Sequence, residues 1–283
     1  MNPESMDDTI RLALAEDAPW GDITSQAFLP TSARASATLR AREPGILSGI
    51  DVFARVFALV DPETTIELVA EDGTRFEPGD VLARVSGNAR SILRAERIAL
   101  NFSQRMSGIA TLTSQYVAAV EGMSARIVDT RKTTPGLRAF ERHAVRSGGG
   151  HNHRYSLSDA VLAKDNHLAV LAAAGAPIGE AIRAARGRIG HTTHLEVEVD
   201  RIDQVEPVVA AGVDTIMLDN FSLDELREGV AIVAGRALVE ASGGVSLDTV
   251  AGIAATGVDI ISVGALTHSA RALDLGLDVE VTA

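Results

Sequence analysis

The sequence predicts an α/β protein in two parts: a small, largely antiparallel sheet flanked by helices, then a larger series of parallel βα units. Two observations carry this reading. Before residue 90, short strand-like runs are punctuated by turn signals such as Asp72-Gly73 and Pro78-Gly79-Asp80. After residue 124, β-branched runs alternate with helical stretches at a spacing of roughly 20 residues, the signature of parallel βα units.

In chain order, residues 6 to about 18 read as a helix, with Ile10, Leu12, Ala13 and Leu14 set among acids. "ASATLRARE" and "TTIELVAEDGTRFEPGDVLARVSG" read as strands, and "IDVFARVFALV" at 50–60 as an amphipathic helix between them. From Arg90 to about Glu121 the apolar positions Ile92, Ala95, Ile98, Ala99 and Phe102 recur at helical spacing. Gly108 is expected to break this stretch into two helices.

The later strands are "ARIVDT", "AVLAKDNH", "LEVEVD", "TIMLDN", "ALVEAS" and "DIISVGA". Charged or small residues sit near their C-terminal ends: Asp129, Arg131 and Lys132, then Lys164, Glu198, Asp219, Ser242 and Gly264. In an α/β barrel that end carries the active site. A doubly wound open sheet has the same alternation, but the convergent charges favour the barrel.

Composition bounds the function. The 283 residues carry a net charge of −12 and are 46% hydrophobic, enough for one large domain or two smaller ones. There is no cysteine, which excludes disulfides and thiolate metal sites and fits a reducing cytoplasm. The acidic N-terminal stretch lacks the basic start and apolar run of a signal peptide, and no run of apolar residues is long enough for a membrane span. An acidic chain with 4% aromatics is poorly suited to nucleic acid.

Against that acidic background one segment stands out. Between Arg126 and Lys164 there are eight Lys or Arg and three acids, together with three histidines and the run "SGGGHNHR". Arg138, Arg142 and Arg146 share one face of a helix expected from about Leu137, a spacing that calls for a compensating anion or a solvated face near Glu141. Glycines let backbone N–H groups approach an anion closely, although a flexible turn explains this run equally well. His151 and His153 have metal-ligand spacing, but the cationic surroundings count against a metal. Lys164 interrupts an apolar run and reads as an anion contact or a Schiff-base nucleophile, unless Asp165 neutralises it. Glu196 and Glu198 share a strand face, and Glu198 with Asp219 at the next strand end suits a divalent cation or ribose hydroxyls. The small residues of "ASGGVS" and "ISVGALTHS" fit a phosphate site after the last strands.

"LAEDAPWGDIT", "RAERIALNFSQRMSGIATLT", "DTRKTTPGLR", "GGGHNHR", "LAKDNH", "EVEVD", "IMLDN", "ASGGV" and "SVGALTHS", in this order, resemble the quinolinate phosphoribosyltransferase family. Arg142 and His143 stand where that family more often has Lys and Tyr. The resemblance implies an N-terminal α/β sandwich domain (1–108, joined by a tail at 267–283) and an incomplete, seven-stranded α/β barrel (109–266). It implies phosphoribosyl transfer from 5-phosphoribosyl 1-pyrophosphate to quinolinate with decarboxylation, giving nicotinate mononucleotide for NAD biosynthesis, in a cytoplasmic homodimer with Mg²⁺.

By the same resemblance, Arg131, Arg154, His153 and Lys164 hold the quinolinate carboxylates, with Arg138 close by and Arg97 arriving from the neighbouring subunit. Lys132 contacts the ribosyl donor, and Glu198 and Asp219 bind ribose hydroxyls and Mg²⁺. Ser242, Gly243, Gly244, Gly264, Ala265 and His268 line the phosphate site. Three other readings stand beside this one: a Schiff-base aldolase using Lys164, a non-catalytic anion-binding relative, and a phosphoribosyltransferase acting on nicotinate.

Overall fold

The structure, a computed structural model, describes residues 3–173, 175 and 177–281. The chain opens with helices α1 (Pro3–Asp17) and α2 (Ile23–Phe28) and strands β1 (Arg34–Ala41) and β2 (Gly45–Ile46). Helix α3 (Ile50–Val60) leads to β3 (Thr65–Leu68), β4 (Arg75–Phe76), β5 (Val81–Asn88) and the long α4 (Ala89–Ala119). Then come β6 (Arg126–Val128), α5 (Arg138–Ser147), β7 (Val161–Ala163), α6 (Asp165–Ala173), α7 (Ile178–Arg186) and β8 (Leu195–Val199). The remainder is α8 (Val205–Val209), β9 (Thr215–Asp219), α9 (Leu223–Val233), β10 (Leu238–Ser242), α10 (Val250–Ala254), β11 (Ile260–Ser262), α11 (Ala265–His268) and β12 (Leu275–Val281). Among these described residues, no helix is long and apolar enough to cross a membrane.

The elements form two compact units. The first comprises Met1–Ser114, Thr133–Gly149 and Leu266–Ala283; the second, Gln115–Lys132 and Gly150–Ala265. Relative to the division expected at residue 108, the first unit extends to Ser114 and also takes in α5.

The first unit is built on a four-stranded antiparallel sheet in the order β12-β1-β5-β3. Alternate residues of β1 (Ala35, Ala37, Leu39 and Ala41) are buried, as the two-residue period of a strand with one core face requires. Ile10 and Leu14 of α1 and Phe53 and Phe57 of α3 join this core, the two rings 4.9 Å apart. Asp7 and Arg55 fasten α1 to α3 through bonds of 2.7 and 2.6 Å. Asp22 caps α2 by accepting the N–H groups of Thr24 and Ser25.

α4 is one continuous helix, so Gly108 does not break it. Its function is close approach. A Cβ at this position would lie 1.9 Å from the Arg271 carbonyl oxygen, so only glycine lets the returning C-terminal segment cross here. Glu141 also differs from expectation. It is fully buried rather than beside a solvated face, and accepts bonds from Arg105 and from the Thr134 amide and hydroxyl. Arg105 in turn donates to the Ala270 carbonyl at 2.9 Å. One buried carboxylate thereby ties α4, α5, the turn after residue 133 and the C-terminal return to one another.

The second unit is the incomplete α/β barrel. Six parallel strands run β6-β11-β10-β9-β8-β7 among the described residues. All five residues of β8 are buried, as expected of a parallel strand covered on both faces. Ile182, Val205, Val208, Leu226, Val233 and Val250 supply the helical layer of this core. A seventh station in the sheet is a single residue, His151, which bridges to Val128. The strand goes no further because the buried carboxylate of Asp129 captures the next two residues. It accepts the Asn152 side-chain amide at 2.6 Å and the His153 N–H at 2.8 Å.

Two outcomes follow for stability. Gly108→Ala gains about 1 kcal/mol of helix propensity, but the clash with the Arg271 carbonyl outweighs it, leaving a net loss of about 2 kcal/mol in denaturant unfolding. A variant as stable as the parent contradicts the crossing described. Glu43 bonds to Arg271, and this contact, with the Asp274 N–H, holds its carboxyl pKa at about 2 instead of 4.5. A depressed carboxyl pKa stabilises the fold above the unfolded value, and that contribution is lost as pH falls through the folded one. Glu43→Gln therefore flattens the acid limb of the stability curve between pH 4.5 and 2; an unchanged limb contradicts it.

Candidate active site

The C-terminal ends of the parallel strands frame a cavity of about 380 Å³ within the second unit. Each strand delivers its polar residues there because the buried apolar run ends at that point. Past β6 come Thr130, half-buried Arg131 and exposed Lys132; past β7, Lys164; from β8, Glu198; from β9, Asp219; from β10, Glu240 and Ser242. His153 and Arg154 enter from the loop after His151.

Lys164 forms an ion pair with Glu198. Asp165, weighed above as its neutraliser, has its side chain outside the described residues. Asp219 accepts from the Asn220 side-chain amide at 2.7 Å. Arg154 donates to the Ala160 carbonyl at 2.9 Å, which fixes its side chain along the loop. Burial and repulsion from Arg131 lower the pKa of Arg154, while Glu196 and Asp159 favour its charge. Two cations crowded enough to repel each other in a half-buried cleft are what a polyanion site requires.

Beside these groups lies a second cluster. His153 Nε2 is 3.1 Å from a Glu196 oxygen and 3.5 Å from a Glu240 oxygen. Both glutamates are almost wholly buried. Burial opposes a charge on His153, while the hydrogen bonds and attraction of the two carboxylates favour a proton on the nitrogen that faces them. Burial pushes the Glu196 carboxyl upward, and neighbouring Glu240 adds to that. His153 Nδ1 faces the Arg154 backbone N–H at 2.8 Å, which calls for a lone pair on that nitrogen. The ring therefore keeps its proton on Nε2, between the carboxylates.

His153, Glu196 and Glu240 are close enough together to be taken for metal ligands. A ligating nitrogen needs a free lone pair, and metal-bound histidines donate from the other nitrogen. Here the polarity is reversed, so the three groups form a hydrogen-bonded cluster. Glu198 and Asp219 fit Mg²⁺ better: they are oxygen donors on adjacent strands, they open to the same cavity, and such ions are shared with substrate phosphates.

Of the residues expected from sequence, the cavity brings together Arg131, Lys132, His153, Arg154, Lys164, Glu198, Asp219 and Ser242. Gly243 and Gly244 follow β10 with φ of 87° and 61°. A Cβ on Gly243 would lie 2.1 Å from the Asn220 Oδ1, so the turn that exposes Ser242 demands glycine. Gly264 lies between β11 and α11 and Ala265 opens α11, both within the second unit. Arg97 on α4, Arg138 at the start of α5 and His268 at the end of α11 belong to the first unit.

Sequence reasoning passed over Glu240 and gave Asp129 no role. The signal for Glu240 was present: it is the one charged residue of the run "LVEAS" and lies two positions before Ser242, on the same strand face.

Comparison with known proteins agrees with this geometry. Residues 22–107 match the model of the quinolinate phosphoribosyl transferase N-terminal domain, and residues 109–278 that of the C-terminal domain. The chain is 45% identical over 280 residues to a nicotinate-nucleotide pyrophosphorylase [carboxylating] of Mycobacterium leprae, covering 96% of each chain. It is 41% identical to the chloroplastic enzyme of that name from Arabidopsis thaliana, covering 96% of this chain and 82% of that one. The crystal structure of NadC from Streptococcus pyogenes superposes with a TM-score of 0.95 at 42% identity, over 100% of this chain and 99% of that chain. With both domain models matched in order along its length, the chain belongs to the quinolinate phosphoribosyl transferase family.

Proposed function

We infer that the protein transfers the phosphoribosyl group of 5-phosphoribosyl 1-pyrophosphate to quinolinate and releases carbon dioxide, forming nicotinate mononucleotide and pyrophosphate. The observation that carries this is the single cavity in which Arg131, Lys132, Arg154 and Lys164 face Glu198 and Asp219. Quinolinate brings two carboxylates, and the donor brings a phosphate and a pyrophosphate. Desolvating that charge takes several cations, and planar guanidinium groups suit carboxylates.

In this reading Arg131 and Arg154 hold the quinolinate carboxylates, aided by His153 and Lys164, and Lys132 takes the donor. The ring nitrogen displaces pyrophosphate from C1 of the ribose. Positive charge grows on the sugar as that bond breaks, and Glu198 and Asp219 offset it. Lys132 offsets the charge on the departing pyrophosphate. Loss of carbon dioxide then leaves its bonding electron pair on ring C2, where the adjacent cationic ring nitrogen stabilises it until that carbon is protonated. Lys164 is the candidate to protonate the vacated carbon, since its ammonium lines the cavity. Mg²⁺ bound by Glu198 and Asp219 would neutralise the pyrophosphate as it leaves. Ser242, Gly243, Gly244, Gly264, Ala265 and His268 would hold the 5-phosphate.

Arg97 and Arg138 are assigned to the same site, Arg97 from the second copy of a homodimer. Support for the dimer comes from apolar side chains left in solvent on the first unit: Trp20 is 91% exposed, and Ile23 and Phe28 are exposed beside it in sequence. Cysteine-free composition supports a cytoplasmic setting.

Incubation with quinolinate, the ribosyl donor and Mg²⁺ is expected to yield carbon dioxide and nicotinate mononucleotide in equal amounts. Arg131→Ala and Arg154→Ala each lower kcat/KM for quinolinate by about a hundredfold, the worth of a lost charged hydrogen bond at roughly 3 kcal/mol. Turnover of nicotinate in place of quinolinate, or undiminished activity in both variants, contradicts the assignment.

A further inference from the structure

Two nearly fully buried carboxylates accompany a cavity read above as an anion site: Glu240 lines it, and Glu196 shares His153 with Glu240. Each directs one oxygen to His153 Nε2, at 3.1 and 3.5 Å. The other oxygen of each, Oε1, is buried without a hydrogen-bond partner among the described residues. Unscreened by solvent, such oxygens project negative potential into the cavity. Left bare, they would repel a dicarboxylate.

His153 is the group that engages both of them, and it lines the cavity beside Glu240. Its ring is held from two sides: the Arg154 N–H points at Nδ1 at 2.8 Å, and the acid pair takes the Nε2 proton. The backbone is fixed as well, because the His153 N–H donates to buried Asp129 at 2.8 Å. Glu240 is the member of the acid pair that itself lines the cavity, together with His153.

We propose that Glu240 is a positioning residue for the dicarboxylate substrate: with Glu196 it grips the Nε2–H of His153, so that the imidazole screens the acid pair and, with the Arg154 N–H held at Nδ1, keeps Arg154 in place for the anion. The proposal rests on the quinolinate reading above and adds a directional consequence. With His153 in place, Glu240 aids binding through it. With the imidazole gone, the same carboxylate opposes binding.

The experiment is a cycle of Glu240→Gln, His153→Asn and the double variant, with each fold checked by thermal melting. Glu240→Gln raises KM for quinolinate about tenfold, as expected for one charged hydrogen bond, while KM for the ribosyl donor stays unchanged and kcat falls less. His153→Asn is worse. The double variant binds quinolinate more tightly than His153→Asn alone, so the effect of Glu240→Gln reverses sign. An unaltered KM in Glu240→Gln, or losses that simply multiply in the double variant, overturns the proposal.

A second readout needs no turnover. In ¹⁵N-labelled protein free of substrates, the His153 ring shows its proton on Nε2, and Glu240→Gln shifts that resonance. A resonance that does not move overturns the grip even if quinolinate is the substrate. Absence of quinolinate turnover in the parent protein sinks the functional reading while leaving this contact standing.

Discussion

A parallel strand covered on both faces offers no solvent to a charged side chain, so a charge placed on it must reach the strand's end or meet a counter-charge. The second unit is organised by that constraint. Its buried charges form two groups toward the C-terminal ends of the strands. In one, Glu196 and Glu240 surround His153. In the other, Lys164 meets Glu198, and Arg131 lies close enough to Arg154 to disfavour its charge. His153 and Glu240 line the same cavity as the second group, so cations and carboxylates face the ligand space together. Asp129 sets the loop that carries His153 and Arg154 by ending one strand after a single residue.

The first unit solves a different problem, which is how distant parts of the chain are held to one helix. α4 does this by subtraction and by charge. Gly108 removes a side chain where the C-terminal return crosses, and Arg105 meets the buried Glu141. The same carboxylate organises Thr134, two residues after Lys132 in the chain. Glu43 and Arg271 repeat the tie at the surface, and β12 completes it by pairing with β1 along seven residues.

Much of this was legible in the sequence. Strand ends marked by a charge or a small residue located six residues that share the cavity (Arg131, Lys132, Lys164, Glu198, Asp219 and Ser242), because where a buried apolar run stops is a local property. The basic segment from Arg126 to Lys164 announced an anion for the same reason. What failed to show were facts fixed by partners far away in the chain. Gly108 looked like a helix breaker because the Arg271 carbonyl that needs the space lies 163 residues downstream. Glu141 looked solvated because Arg105 was not yet beside it. Glu240 was read as part of an apolar strand, since its partner His153 lies on a loop with no periodic pattern of its own.

The central claim is that cations converging at these strand ends receive both carboxylates of one small pyridine ring. A crystal structure of the protein with quinolinate tests it most directly. The account predicts the ring inside the second unit's cavity, with its carboxylates against Arg131, Arg154 and Lys164. Quinolinate bound outside that cavity, or one carboxylate left facing solvent without a cationic partner, would contradict it.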